Sequence, residues 1–146
     1  MINLARKQQE AVRLVKAHSP AGVVLAVYVF GSSLRADFKD SSDIDLAFLV
    51  DRHRYKEDAF MATSIVHRIA DGIGIVAGRE ADALILNSAS LEMAHDIIAT
   101  GFCLFEIDQD MRLEYEIKIK GMNFDFQPFL SELRARKIAR LPSLET

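Results

Sequence analysis

The chain has 146 residues, half of them hydrophobic and about a quarter charged, enough for one globular unit to bury a core without staples. Its formal net charge of −3 shows no basic excess, so direct nucleic-acid binding is not expected. With a single cysteine, Cys103, set between apolar neighbours, an internal disulfide framework or a cysteine-based zinc site is excluded.

Residues 3–18 carry Leu4, Ala11, Leu14, Val15 and His18 at helical spacing, and Ser19-Pro20-Ala21-Gly22 ends that helix. Residues 23–30 are short and rich in Val, Tyr and Phe, as a buried strand is. A turn at Gly31 follows, then a short helix around residues 33–38 and a polar loop over 39–42. Residues 44–50 form a second apolar strand. So short a link to the first makes the two antiparallel or mixed neighbours rather than a parallel crossover pair.

Residues 55–72 have helical spacing, with Phe60, Ile65, Ile69 and Ile73 directed to a core. A glycine-rich passage, Asp71-Gly72-Ile73-Gly74, precedes a third strand over residues 80–86. Residues 90–100 form a short helix for which Ser88 or Ser90 is the cap. Gly101 closes it, and residues 102–107 make a fourth strand at a sheet edge. From Met111 onward the chain is helical, with bends expected near Gly121 and Pro128. The sequence therefore predicts one α/β (α+β) unit over residues 1–146, with a core at about 20–107 and a C-terminal helical segment at about 111–141. No leader peptide is read at the N-terminus, and no apolar run of membrane-spanning length, so a cytoplasmic protein without a membrane partner is expected.

The chemistry lies between the first two strands. Gly31-Ser32-Ser33 closes the first, and ten residues separate Ser32 from Asp43-Ile44-Asp45, which opens the second. Side chains alternate along a strand, so Asp43 and Asp45 project on one side and Ile44 on the other. Two carboxylates 4 Å apart repel by about 4 kcal/mol at an effective dielectric near 20. A cation between them removes that cost, and hard oxygen ligands with open positions suit Mg²⁺. A residue without Cβ at position 31 lets backbone approach phosphate oxygens, while the Ser32 and Ser33 hydroxyls add donors. Arg35 and Lys39 stand in the intervening loop. Asp82 is a lone acid in an apolar strand, fit to ligate a second metal or accept a proton from an attacking hydroxyl. Glu80 shares its face and competes for that role, but sits at the strand's edge. An isolated Asp-x-Asp or Gly-Ser more often marks a solvated strand end, and only the joint pattern points to nucleotidyl transfer.

Phe30-Gly31-Ser32, the ten-residue spacing and Ser42-Asp43-Ile44-Asp45-Leu46 resemble the signature of the minimal nucleotidyltransferases (MNT), within the DNA polymerase β-like nucleotidyltransferase superfamily. Asp82 stands where that family's third acid does. The helix ending Ile97-Ile98-Ala99-Thr100-Gly101, with the strand after it, is similar to the family's closing elements, so the likeness covers about residues 20–130. The loop over residues 34–40 is less glycine-rich than the family's usual one. The resemblance implies a mixed sheet flanked by helices, with the site at the sheet edge. It also implies Mg²⁺ as cofactor, ATP as nucleoside triphosphate, and metal ligation by Asp43, Asp45 and Asp82. Gly31, Ser32 and Ser33 would hold the phosphates. For a protein of this size it further implies an MntA-type antitoxin that transfers AMP to a tyrosine of a cognate HEPN-domain ribonuclease toxin. Two alternatives remain: transfer to a small molecule such as an aminoglycoside, or a catalytically silent toxin binder.

The rest of the polar sequence has simpler explanations. His18, His53, His67 and His95 show no ligand spacing, and Arg54, Tyr55 and Asp58 make a polar start to a helix. Phe124, Phe126 and Phe129 belong to a core or to a docking face, with Arg134, Arg136, Lys137 and Arg140 as a basic cluster beside them.

Overall fold

The computed structural model describes residues 4–34 and 43–140. Helix α1 (Leu4–His18) leads into strand β1 (Val24–Phe30), which ends in a 3₁₀ turn, Gly31–Leu34. Strand β2 (Ile44–Val50) is followed by helices α2 (Arg52–Glu57) and α3 (Ala59–Ala77), then strand β3 (Ala81–Ile85). A second 3₁₀ turn, Leu86–Ser88, precedes helix α4 (Leu91–Thr100), strand β4 (Phe102–Glu106) and helix α5 (Gln109–Arg140). The mixed sheet has the order β3-β2-β1-β4. β1 lies antiparallel to β2 and β4, whereas β2 and β3 run parallel, joined through α3 as a parallel pair requires.

Both faces of the sheet are covered, and strand alternation assigns each residue to one of them. Val27 and Val29 of β1 and Ile44, Leu46, Phe48 and Val50 of β2 pack with α1 and α3. Ala26, Tyr28, Ala47 and Leu49 face the other way, towards Ala94, Ile97 and Ile98 of α4 and Ile119 of α5. Burying each large aliphatic or aromatic side chain contributes about 1.5–3 kcal/mol, so these two clusters dominate the fold's stability. Where the sheet stops, Asn87 continues its hydrogen bonding. Its amide accepts from the Val50 N–H at 2.9 Å and donates to the Val50 carbonyl at 2.7 Å.

The predicted helix over 55–72 is two helices. Asp58 leaves the helical conformation, at φ −152° and ψ 83°, and its carboxylate accepts from the Met61 N–H, capping α3 and parting it from α2. Asp51 caps α2 in the same way through Arg54 N–H. Helix α3 then runs through Gly72 and Gly74 to Ala77, where Gly78 at φ 68° closes it. Ile65, Ile69 and Ile73 reach the core, but Phe60, expected there, is 84 % exposed, because at about 100° per residue it stands opposite Ile69 on the helix, on the face turned away from the sheet. Contrary to the sequence expectation, this 19-residue helix is long and apolar enough to cross a membrane by length and composition; here its apolar face is spent on the sheet.

The cap of α4 is Ser90, which accepts from Met93 N–H at 3.1 Å. Helix α5 continues as one helix through Gly121 and Pro128. The predicted helix and loop over 33–42, with Arg35 and Lys39, fall on residues outside those described beyond Leu34, as do the side chains of Ser33, Phe126, Lys137 and Arg140.

Candidate active site

Three strand ends converge at one edge of the molecule. The C-terminus of β1 lies beside the N-terminus of β2, with Phe30 opposite Asp45. The N-terminus of β3 lies on the other side of β2, with Asp82 opposite Asp45. Asp45 thus stands between the glycine turn and the third acid. By alternation Asp45 shares its face with Ala47 and Leu49, and Asp82 with Leu84, so the acids project on the α4/α5 side of the sheet. Since α4 and α5 pack chiefly over β1, the acid end of β2 and β3 stays open: Asp43 and Asp82 are exposed and Asp45 is half-buried.

Gly31 has φ 72°, a left-handed conformation that side chains rarely adopt. A Cβ placed there would stand 2.7 Å from Asp45 Oδ2. The glycine therefore serves the carboxylate directly, besides the turn. Burial pushes the Asp45 carboxyl above its ordinary value, and the neighbouring Asp82 and Asp43 charges push it further. Glu80 precedes β3 and is exposed, and its backbone carbonyl accepts the Ile44 N–H at 2.9 Å.

The donor set suits a hard divalent cation. All three side chains are carboxylates, and the electrostatic strain on Asp45 is one that a cation relieves. Among the described residues no three His, Cys, Asp or Glu side chains are already gathered into a metal cage. Mg²⁺ does not ask for one, because it is commonly held by one or two carboxylates and completed by water and substrate phosphate. Asp43 and Asp45 are the side chains that could supply that pair.

A buried polar group that ties α5 to the acid-bearing face of the sheet was missed in the sequence. Tyr28, two residues before Phe30 on the acid-bearing face, donates its hydroxyl to Glu116 Oε1 at 2.8 Å inside the core. Arg112 bridges Glu116, at 3.0 Å, and Glu106 of β4. Burial and the Glu116 carboxylate drive the Tyr28 hydroxyl far above its ordinary value, so it remains a donor. The Arg112/Glu116 spacing of i,i+4 was the available signal, but such pairs on exposed helices are commonplace.

A family model described as "Polymerase beta, Nucleotidyltransferase" matches residues 13–110. Curated protein sequences give no significant match. Among solved structures, a chain of the tri-AMPylated Shewanella oneidensis HEPN toxin in complex with MNT antitoxin is similar. It has 19 % identity and a TM-score of 0.57, over 90 % of this chain and 99 % of that one. A chain of a toxin–antitoxin structure with AMP-PNP gives 21 % identity and a TM-score of 0.56, over 87 % and 98 % of the two chains. A chain of the MntA–HepT toxin–antitoxin gives 20 % and 0.54, over 89 % and 98 %. At these identities the likeness is one of fold. The family model, by contrast, spans the whole sheet and all three acids, and by it the chain belongs to the polymerase β nucleotidyltransferase family.

Proposed function

We propose that this protein is a Mg²⁺-dependent adenylyltransferase that moves AMP from ATP onto a tyrosine of a HEPN-domain toxin and so acts as its antitoxin. The observation that carries the reaction is the position of Asp45, set near Asp43 and Asp82 and against Gly31 at one open end of the strands. The fold supports the partner: similar chains occur in a complex of MNT antitoxin with a tri-AMPylated HEPN toxin and in a toxin–antitoxin structure with AMP-PNP.

In this reading Asp43 and Asp45 would hold the metal, and Asp82 is a further ligand or the base. Bound there, Mg²⁺ supplies neutralisation of the triphosphate charge and polarisation of the α-phosphorus. The chain's residues do the rest. Gly31 leaves room for the phosphates, and Ser32 and Ser33 donate to them. Asp82 takes the proton from the tyrosine hydroxyl as its oxygen bonds to the α-phosphorus. The bond from that phosphorus to the bridging oxygen breaks in line, and pyrophosphate leaves on the Gly31-Ser32 side.

The test is transfer of labelled AMP from ATP to a co-expressed HEPN-domain partner, with the modified residue mapped by mass spectrometry. Asp43→Asn with Asp45→Asn should abolish labelling while the complex still forms. Full labelling by that double variant would remove the mechanism.

A further inference from the structure

The same face of the sheet holds a second concavity, at the end away from the acids. A cleft of about 780 Å³ opens between α2, the turn after β3, α4 and α5. Its floor includes Leu49 of β2, four residues from Asp45 and so about 13 Å along the strand. Leu86, Ala94 and Ile119 extend that apolar floor. The size is that of a small-molecule pocket.

The charge of the rim points to the chemistry of an occupant. The rim holds three cations, Arg52 and Lys56 on α2 and Lys118 on α5, against one acid, Glu114. In a chain with 18 basic and 21 acidic residues this locally reverses the overall balance. All three cations are exposed, so they are free to move onto an anion. Tyr115 also lines the cleft, but its hydroxyl is buried away from it. Among the described residues its hydroxyl is the one buried side-chain polar atom with no hydrogen-bond partner.

We propose that this cleft binds a small amphipathic anion, an apolar body on the Leu49/Leu86/Ile119 floor with one anionic head group between Arg52, Lys56 and Lys118. The site is separate from the acid end, where a second anion would meet Asp43, Asp45 and Asp82. It does not depend on the adenylyltransferase reading.

The probes are 8-anilinonaphthalene-1-sulfonate, followed by its emission on the full chain, and decanoate below its micellar concentration as competitor. We expect one saturable site, displaced by decanoate and at least tenfold less well by the neutral decanol. Lys56→Glu with Lys118→Glu should weaken decanoate at least tenfold without changing the melting curve. Should that double variant melt early, Arg52→Glu alone carries the same expectation. Asp43→Asn with Asp45→Asn should leave probe binding unchanged. Equal affinity for decanol, or indifference to charge reversal, would overturn the proposal. So would absence of saturable binding, displacement by Mg²⁺-ATP, or loss of binding in the aspartate variant.

Discussion

Gly31 and Asp45 are in such close approach that any Cβ at position 31 would lie 2.7 Å from Asp45 Oδ2. The contact joins the turn after β1 to the first residues of β2, the two halves of the sequence motif, within a single van der Waals distance. Gly31→Ala therefore meets two penalties. The left-handed backbone at φ 72° costs about 1–2 kcal/mol for a residue with a Cβ, and the new methyl displaces the carboxylate. We expect a loss of that size in urea denaturation, together with at least a tenfold loss of Mg²⁺-ATP affinity by calorimetry. A variant with lowered stability and unchanged affinity would separate the turn from the site.

The Asp45 carboxyl, raised by burial and by Asp82 and Asp43, makes a pH prediction. Between the ordinary carboxylate range and its raised folded value, the native state holds more protons than the unfolded chain. Stability therefore falls as pH rises through that window. At neutral pH the ionised Asp45 is a cost, and Asp45→Asn should raise the melting temperature of the metal-free protein. Solvent screening at this half-open position limits the gain to about 2–4 °C. Below the ordinary carboxylate range the gain should vanish, and thermal scans at pH 3.5 and pH 7.5 decide it.

Magnesium should reverse that order. With excess Mg²⁺ and ATP the parent protein gains stability by mass action, about 2.7 kcal/mol at a ligand concentration one hundred times Kd. Asp43→Asn with Asp45→Asn should show no such gain. Differential scanning fluorimetry with and without chelator measures both.

The buried Tyr28–Glu116–Arg112 group ties α5 to the sheet. Tyr28→Phe removes one hydrogen bond to a carboxylate that keeps Arg112, and should cost about 1–2 kcal/mol. Glu116→Ala leaves the Tyr28 hydroxyl without its acceptor and Arg112 with only Glu106, and should cost more, about 2–3 kcal/mol. Chemical denaturation of the two single variants and of the double variant gives their coupling.

Tyr115 should behave in the opposite sense. Because its buried hydroxyl has no partner, Tyr115→Phe should be neutral or stabilise the free protein by up to about 1 kcal/mol. A melting curve shifted downwards would mean that the hydroxyl is paired.

Local chemistry by itself determined much of this protein. Strands β1 and β2 were legible because short Val- and Phe-rich runs bounded by turns have few other ways to bury themselves. Ser90 as a cap follows from its place before an amphipathic run; strand alternation predicts a common face for Asp43 and Asp45, and Asp43, just before the first residue of β2, is near enough to raise the Asp45 carboxyl. Three things depended on tertiary structure. The break at Asp58 was invisible to periodicity, because the residues on both sides keep helical spacing and only the carboxylate's choice of Met61 N–H ends one helix and starts another. Which face of α3 meets the sheet was settled by packing, and it leaves Phe60, half a turn round the helix from Ile69, in solvent. The meeting of Asp82 with Asp45, with 36 residues between them, rests on the parallel register of β2 and β3. That register is set by Ile44, Leu46 and Phe48 burying themselves against the same helices as Ala81, Ala83 and Ile85. Sequence fixes which residues can carry charge on a strand face; the packing of hydrophobic residues on the opposite face decides which of those charges meet.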